Sequence, residues 1–437
     1  MQKDNSTIFS HNIKILSKTA SDILGKAGIE TRCFIVDKDN HKLYISEHLL
    51  GSAPLICDAG TPVNSSVQVL KSIDSSLKNS WVVFFKPTFE LFELSAKKGL
   101  VPLQDKYQNN LKIENKIALY NNTPQHLKDL FPKSITGSAS GMDFDTIGNS
   151  LGIPFFAQFS SGYSGKTTFL IKDEGDLSIL KKSYGNLSLK ASKLIKGQTL
   201  TVNGFLSKGL FTWSKPFFQV SGEQRLNPNP SGSSGNIFNI GAVDESIFHP
   251  FMQKVGQLLK MRNFSGFFGI DFIMEEKPYL IEINPRFTTS VSLQSEHRIL
   301  TGKVPEFLLE MLSLMLSRID TETQTIGLNK LMESEKYLLK SEEEPPIIQL
   351  IQYNTLASDY VSRKDLSAGT YIMENSSLFR ISGNILFSGL KPGHFILFPP
   401  VKGRLISRGN EIARIICSSM DYSRDKMIEM LNSFAFS

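Results

Sequence analysis

The chain has 437 residues, of which 41% are hydrophobic and 21% are charged. This mix is typical of a folded globular protein and excludes a disordered or fibrous chain, and the length predicts roughly three domains at about 150 residues each. Forty-eight basic and 42 acidic residues give a formal net charge of +6. Because the basic residues do not gather into runs, the composition argues against a nucleic-acid partner.

Membrane and secretion signals are also missing from the sequence pattern. No stretch of about 18 apolar residues occurs, and the first residues are polar, so we expect a cytoplasmic protein without a membrane partner. Cys33, Cys57 and Cys417 are far apart and lack a CxxC pairing, which favours free thiols over a disulfide or a zinc site. The seven histidines show no metal-ligand spacing.

Residues 1–112 alternate between helical and extended patterns. Continuous apolar strands of this kind suit a parallel sheet that is covered on both faces. The segment lacks a GxGxxG turn, so dinucleotide binding is not indicated. We therefore predict a small α/β domain with a helix at Ile13–Gly25, strands at Cys33–Val36, Leu55–Cys57 and Trp81–Phe85, a helix at Phe89–Lys98 and a strand at Val101–Leu103.

Residues 113–330 are predicted to form the central domain, and residues 331–437 a β-rich C-terminal lobe. In the central domain we expect strands at Pro154–Phe159 and Phe169–Lys172, and a mobile loop at Asn227–Gly235. Apolar residues at helical spacing predict helices that pack on a core at His249–Met261 and Pro305–Ile319. The acidic, proline-interrupted stretch near residue 335 marks the boundary. The C-terminal lobe alternates short strands with glycine turns and ends in a helix.

The segment Gly269–Arg286, GIDFIMEEKPYLIEINPR, carries the most informative pattern. Two apolar stretches flank the turn EEKP, which predicts a β-hairpin. If the hairpin is centred in that turn, Asp271 lies opposite Glu282. The two-residue period of a strand then places Glu282 and Asn284 on one face, so this face collects oxygen ligands.

Two carboxylates and an amide oxygen are the ligands that Mg²⁺ prefers when it holds a polyphosphate, and Arg286 adds a planar cation for developing negative charge. The alternative is a solvent-facing edge hairpin whose polar residues alternate outward. Solvated faces seldom combine these four residue types with an Asn-Pro stop, so the pattern favours the metal site.

A second motif, SSGYSGKTT, covers Ser160–Thr168. It nearly matches a P-loop, but Ser160 stands where a P-loop requires glycine, and the residues that follow are β-branched and apolar instead of helical. We therefore predict a strand, a glycine-rich loop and a second strand. Such a hairpin can offer backbone N–H groups, and Lys166, to phosphates; the alternative is an ordinary solvated turn.

The order of these motifs resembles the ATP-grasp superfamily of carboxylate ligases. The glycine-rich hairpin comes first, then a strand ending in LIKG (Leu194–Gly197), then the GIDFI and YLIEINPR strands. The resemblance covers about residues 113–300 closely and the flanks in outline, with a lid subdomain at about 150–205. It implies an α/β and α+β protein: an ATP-grasp fold, preceded by a pre-ATP-grasp α/β domain and completed by the β-rich lobe.

The resemblance also implies roles for individual residues. Mg²⁺, or Mn²⁺ in its place, would be held by Asp271, Glu282 and Asn284, and Arg286 would stabilise the charged intermediate. ATP would be bound by the lysine Lys116, by Gln158, by the loop and by a hinge that brackets the adenine. The loop residues are Gly162, Ser164, Gly165 and Lys166, of which Lys166 is also a catalytic candidate, and the hinge residues are Lys193, Leu194 and Ile195.

The sequence departs from the family pattern in two places. Gln158 stands where the strand before the loop usually carries a lysine for the α-phosphate, and Lys166 or Lys190 is left to take that part. The hinge lacks the acidic residue often seen there.

Gln219, Glu223 and Arg225 resemble a segment that faces the carboxylate substrate in biotin-carboxylase-like ligases, although polar surface residues of a loop would give the same pattern. Lys116 can likewise be read as a solvated helix lysine.

The resemblance predicts an ADP-forming ligase that joins a small-molecule carboxylate to an amine through an acylphosphate. A homodimer is compatible with this class. One alternative is a biotin carboxylase-type enzyme. The sequence has no Ala-Met-Lys motif of the kind that carries biotin, so it gives this alternative no further support. Another is a non-catalytic ATP-binding regulatory or scaffold protein, for which Gln158 would mark decay of the site.

Overall fold

The computed structural model describes residues 33–36, 43–45, 70–71, 81–84, 87–102, 107–160, 167–207, 210–238, 243–300, 347–363, 365–374, 377–383, 387, 390–400, 402–418 and 420–435. The predicted elements Ile13–Gly25, Leu55–Cys57 and Pro305–Ile319 lie outside these residues. Among the helices in the described ranges, none has the length and apolar character that crossing a membrane would require.

A small sheet near the N-terminus has the order β2-β1-β3-β4. Its strands are β1 (Cys33–Val36), β2 (Leu43–Ile45), β3 (Trp81–Phe84) and β4 (Val101–Pro102). The pairs β1–β3 and β3–β4 are parallel, as predicted, and β2 joins antiparallel at the edge. Helix α1 (Phe89–Lys98) begins after Thr88, whose side chain accepts a hydrogen bond from the Leu91 N–H, and ends at Gly99 with φ 68°.

The second sheet is antiparallel, with the order β5-β8-β6-β7. Its strands are β5 (Ser134–Ser138), β6 (Phe155–Phe159), β7 (Thr168–Ile171) and β8 (Ser188–Lys193). Three helices contact it, α3 (Lys116–Asn121), α4 (Phe144–Leu151) and α5 (Glu174–Tyr184), and α2 (Tyr107–Glu114) packs against α3. Apolar residues of α4, α5 and the strands form one buried core, which includes Leu151, Ala157, Leu177 and Leu189.

The predicted hairpin around the glycine-rich segment is confirmed, because β6 and β7 pair directly. The predicted strand ending in LIKG is shorter than expected. β8 ends at Lys193, and Leu194–Gly197 lies after it. The chain turns there because the backbone N–H of Lys196 bonds the Glu275 carboxylate at 3.0 Å, and because Gly197 lies against the Met274 carbonyl, where a Cβ would approach to 2.1 Å.

Within the described residues the largest sheet has eleven strands, ordered β14-β13-β9-β11-β12-β15-β21-β19-β17-β18, with β10 also paired to β9. Its first seven strands in chain order are β9 (Gln198–Ser207), β10 (Leu210–Trp213), β11 (Phe217–Ser221), β12 (Ser233–Phe238), β13 (Gly266–Met274), β14 (Pro278–Asn284) and β15 (Ile347–Tyr353). The remaining strands are β17 (Gly369–Glu374), β18 (Ser377–Ser382), β19 (Phe395–Phe398) and β21 (Glu411–Ser418). A separate pair joins β16 (Tyr360–Val361) to β20 (Leu405–Ile406).

Helices cover this sheet. They are α6 (Glu245–Met261), α7 (Val291–Leu300) and α8 (Arg424–Ala435). α6 starts four residues earlier than the apolar pattern predicted, because Asp244 caps it by accepting from the Ser246 N–H. Its apolar face packs in one cluster with Val202 of β9 and Ile270 of β13. In α8, the residues Met427 and Leu431 are fully buried.

The segment Asn227–Gly235 differs from the mobile loop that its composition predicted. It forms turns and then enters β12 at Ser233. Asn227, 3% exposed, fixes the turn, since its side chain donates to the Ser233 carbonyl at 3.1 Å and accepts from the Asn229 N–H at 3.0 Å. β12 then pairs with β15, so one sheet continues across the predicted boundary at residue 331. The division into three domains stays a prediction.

Candidate active site

The hairpin β13–β14 has the predicted register at its polar end. Asp271 pairs with Glu282, and Gly269 pairs with Asn284. A β-bulge after Asp271 shifts the register by one residue toward the turn, which the sequence did not predict. β9 covers the other edge of β13 and places Thr201 beside Asp271.

The two carboxylates have different partners. Asp271 accepts hydrogen bonds from the Thr201 hydroxyl at 2.7 Å and from the Gln219 amide at 3.2 Å. Glu282 forms an ion pair with Lys116, whose Nζ lies 2.5 Å from Oε2. The site therefore joins residues of α3, β9, β11 and the hairpin.

These surroundings push the two pKa values apart. Burial and the neighbouring charge of Glu282 raise the pKa of Asp271 to about 8. Burial would also raise the pKa of Glu282, but the Lys116 ammonium and hydrogen bonds to neighbouring side chains lower it to about 2. One carboxyl of the pair thus keeps a proton at neutral pH while the other is ionised.

Asn284 and Arg286 continue the polar face. The Asn284 amide donates to Glu282 Oε1 at 3.3 Å and to Asp271 Oδ2 at 3.5 Å, while its oxygen accepts from Arg286 at 2.9 Å. The Arg286 guanidinium also donates to the Phe287 carbonyl and lies 3.6 Å from Glu114 of α2. Arg286 is thereby held beside the carboxylate pair.

Lys116 reaches this site because helix α3 begins there. The side chain of Asn115 caps the helix by accepting from the N–H groups of Ile117 and Ala118. The Lys116 N–H donates to the Ser160 carbonyl at 2.8 Å, which ties the helix to the base of the glycine-rich loop. Lys116 is 7% exposed, which is contrary to the reading of it as a solvated helix lysine.

The remaining predicted nucleotide-binding residues are Gln158, the hinge residues and the residues of the glycine-rich loop. Gln158 is buried and donates to the Thr168 hydroxyl at 3.2 Å across the hairpin. In the hinge, Ile195 is buried, Leu194 is half-buried and Lys193 is exposed. The loop residues Gly162, Ser164, Gly165 and Lys166 lie outside the described residues, and their roles stay predictions.

The three residues expected to face the carboxylate substrate do not form one group. Gln219 lies at Asp271, in the carboxylate cluster. Glu223 and Arg225 instead form a two-contact ion pair with each other, and Arg225 continues to Asp425 of α8 at 2.8 Å. This pair links the turn after β11 to the C-terminal helix.

Sequence reasoning missed two residues that the fold brings to the site, Thr201 and Glu114. Thr201 sits in a β-branched strand, and Glu114 ends a polar helix. Neither pattern distinguishes them from ordinary strand or helix residues, and only the β9–β13 register and the packing of α2 bring them in.

The side chains at this site fit a divalent cation. Two carboxylates and an amide lie side by side on one face of the hairpin. Two carboxylates at this spacing need either a shared proton or a metal ion between them. Within the described ranges, no cluster of three His, Cys, Asp or Glu side chains occurs, so the third ligand would come from Asn284. Its amide would have to turn over to present oxygen to the carboxylate pair.

Comparison with known proteins gives a family match for the central part of the chain. The family of ATP-grasp domains matches residues 159–290, which include β7 to β14 and, with them, Asp271, Glu282, Asn284 and Arg286. None of the curated protein sequences compared with the chain matches it.

Solved structures match nearly the whole chain. N5-carboxyaminoimidazole ribonucleotide synthetase from Thermus thermophilus covers 97% of this chain and 97% of its own, with TM-score 0.51 and 9% identity. The Aspergillus clavatus N5-carboxyaminoimidazole synthase, in complex with ADP and 5-aminoimidazole ribonucleotide, covers 96% of both chains with TM-score 0.51 and 12% identity. The biotin carboxylase domain of Hydrogenobacter thermophilus 2-oxoglutarate carboxylase, solved as a dimer with MgADP and bicarbonate, covers 93% of this chain and 84% of its own, with TM-score 0.51 and 13% identity.

The fold and the family match together define the class of this protein. The chain contains an ATP-grasp domain and has the ATP-grasp fold, as the order of its motifs predicted. At identities of 9% to 13%, the solved structures establish the fold and not the reaction.

Proposed function

We propose that this protein is a Mg²⁺- and ATP-dependent, ADP-forming ligase that joins a small carboxylic acid to an amine. The observation that carries the proposal is the Asp271–Glu282 pair with Asn284, Arg286 and Lys116 around it. A polyphosphate and its metal ion require such a set of oxygen ligands and cations. The ATP and MgADP complexes of similar folds support the choice of nucleotide.

In this proposal Asp271, Glu282 and Asn284 would hold Mg²⁺, which would supply positive charge to the phosphates of the nucleotide. The substrate carboxylate oxygen forms a bond to the γ-phosphorus as the bond to ADP breaks. The amine nitrogen then bonds the acyl carbon, phosphate leaves, and the nitrogen loses its proton. Arg286, held by Asn284 and Glu114, stabilises the negative charge that develops in both steps.

Lys116 binds the phosphates in this scheme. In the structure its ammonium is paired with Glu282. With Glu282 among the metal ligands, Lys116 would be available to contact a phosphate oxygen. The loop residues Gly162, Ser164, Gly165 and Lys166 and the hinge residues Lys193, Leu194 and Ile195 keep their predicted places around the nucleotide.

A biotin carboxylase-type reaction is the second candidate, because the biotin carboxylase fold matches over most of both chains. Purified protein with MgATP should be offered pools of small carboxylic acids and amines, or bicarbonate and biotin, while ADP and phosphate are measured. Release that needs both an acid and an amine supports the ligase. Release that needs bicarbonate and biotin supports the carboxylase, and binding of ATP without release supports a regulatory protein.

Two substitutions in the hairpin β13–β14 test whether Glu282 belongs to the site. Glu282→Ala should lower ADP release more than about 100-fold, which exceeds the usual effect of losing a supporting contact. Glu276→Ala changes an exposed glutamate in the turn of the same hairpin and should leave release unchanged. Retained activity in Glu282→Ala would contradict the assignment.

A further inference from the structure

Lys190 is a buried cation that the proposed mechanism does not use. It lies in β8, the strand between β5 and β6, and is 2% exposed. Within the described part of the chain, no carboxylate lies within ion-pair distance of its ammonium group. Its charged surroundings are Lys116 and Glu282, and the Tyr120 ring centre lies 6.0 Å from Nζ.

The other cations of the site already have partners. Lys116 is paired with Glu282, and Arg286 lies between Asn284 and Glu114. A second lysine so close to Lys116 adds positive charge to a region that water reaches poorly. Burying such a charge without a counter-charge is costly, so its presence points to an anion supplied from outside the chain.

The position of Lys190 indicates which part of a nucleotide would supply that anion. Lys190 pairs in register with Gln158 on β6, so both side chains project from the same face of the sheet at neighbouring positions. Gln158 lies two residues before Ser160, whose carbonyl holds the start of α3. Lys190 therefore lies on the strand next to the base of the glycine-rich loop, and it interacts electrostatically with both Lys116 and Glu282.

We propose that Lys190 binds the phosphate chain of the nucleotide and supplies the positive charge that Gln158 does not. Gln158 is neutral, buried and bonded to Thr168, so it can orient a phosphate but cannot neutralise it. Lys190 lies on the adjacent strand directly opposite Gln158, so its side chain reaches the same space. This inference rests on the proposed function, because it requires that the site bind a nucleotide.

The test measures affinity for ATP, ADP and adenosine by calorimetry in the presence of Mg²⁺. Lys190→Gln should weaken ATP and ADP binding at least about tenfold and leave adenosine binding unchanged, because only the phosphates carry charge. Lys182→Gln, at an exposed lysine of α5 in the same subdomain, is the matched control and should bind all three as the wild type does.

An exchange of the two residues separates a phosphate contact from a structural role. In Gln158→Lys/Lys190→Gln the positive charge moves across the strand pair and stays at the same site. This double variant should recover ATP affinity to within about threefold of the wild type, since the charge is retained. A purely structural role for Lys190 would not be rescued in this way.

Several results would overturn the inference. Unchanged ATP affinity in Lys190→Gln, or an equal loss of adenosine affinity, would show that Lys190 does not bind phosphate. If Lys190→Gln does not fold, the exchanged double variant decides, and its failure to bind ATP contradicts the inference. A wild-type protein that binds no ATP would overturn the proposed function itself, whereas the other results leave it standing.

Discussion

Asp271 and Glu282 are two neighbouring carboxyl groups, and at neutral pH one of them holds a proton in the absence of a metal ion. The pKa of Asp271 is raised to about 8 by burial and by the charge of Glu282. Glu282 stays ionised because Lys116 lies against it. A divalent cation would take the place of that proton, so the protonation of Asp271 can be measured in protein from which metal ions have been removed.

The proton on Asp271 makes the free energy of unfolding depend on pH. Asp271 has a pKa of about 8 in the folded chain and an ordinary, much lower pKa in the unfolded chain. The folded state therefore binds the extra proton between these values, and the free energy of unfolding should fall as pH rises from about 5 to about 7.5 without metal. Asp271→Asn cannot titrate and should lose this part of the slope in urea denaturation. An identical slope in the variant would contradict the assignment.

The residues of the site differ in how far the sequence predicts them. Asp271, Glu282 and Asn284 follow from the two-residue period of a hairpin and from the position of its turn. Lys116 lies far from them in the chain, so spacing cannot bring it to Glu282, and only the resemblance to ATP-grasp proteins suggested it. Lys190 occurs in the polar strand SLKASK, where nothing in the pattern indicates burial.

At the scale of elements, a buried polar network holds the segment that carries Arg286. Asn203 of β9 is fully buried and accepts from the Thr288 hydroxyl at 2.8 Å, while its amide donates to Ser290 and to Gln294 of α7. Gly269 of β13 lies against the same place, because a Cβ there would come within 2.3 Å of the Thr288 side chain. The segment after the hairpin, residues 285–290, and the start of α7 are thus fixed to β9.

Gly269→Ala should disturb this network. The added methyl has to displace Thr288, which we expect to lower the free energy of unfolding by about 1–3 kcal/mol and to reduce ADP release by moving Arg286. Gly137→Ala is the control, because nothing lies within 4 Å of its added Cβ. Urea denaturation of both variants measures the difference, and equal stability of the two would show that the packing at Gly269 is not tight.

Elements were predicted where local pattern determines them. The hairpin β13–β14, the hairpin β6–β7 and helix α1 follow from turns, caps and apolar spacing. The bulge after Asp271 and the early start of α6 depend on one register shift and one capping side chain. The ordered turn at Asn227 depends on hydrogen bonds within a segment whose composition is that of a loop.

At the scale of the whole molecule, the C-terminal residues complete the ATP-grasp sheet. β15 pairs with β12, and β21 pairs with β15 on its other side. Val220 and Leu226, which precede β12, pack in one cluster with Leu350 and Ile415. This joining could not be predicted, because sequence patterns give strands and not the partners of strands that lie far apart in the chain.

A chain without residues 345–437 should therefore fail to form a stable central domain. Removal of these residues takes β15 away from β12, so that edge of β12 is left unpaired. It also exposes the apolar residues Val220, Leu226 and Ile237. We expect aggregation or loss of a cooperative thermal transition, measured by gel filtration and by circular dichroism. A monomeric fragment that unfolds cooperatively and binds ATP as the full chain does would contradict this view.

The most direct test of the central proposal follows the oxygen atoms of the acid substrate. The acid that supports ADP release is labelled with ¹⁸O in its carboxylate and incubated with protein, MgATP and the amine, and the phosphate is examined by ³¹P NMR. An acylphosphate passes one carboxylate oxygen to phosphate when the amine displaces it. We predict one ¹⁸O atom in the released phosphate for each amide bond formed. Phosphate without label, or label recovered in AMP, would contradict an ADP-forming ligase.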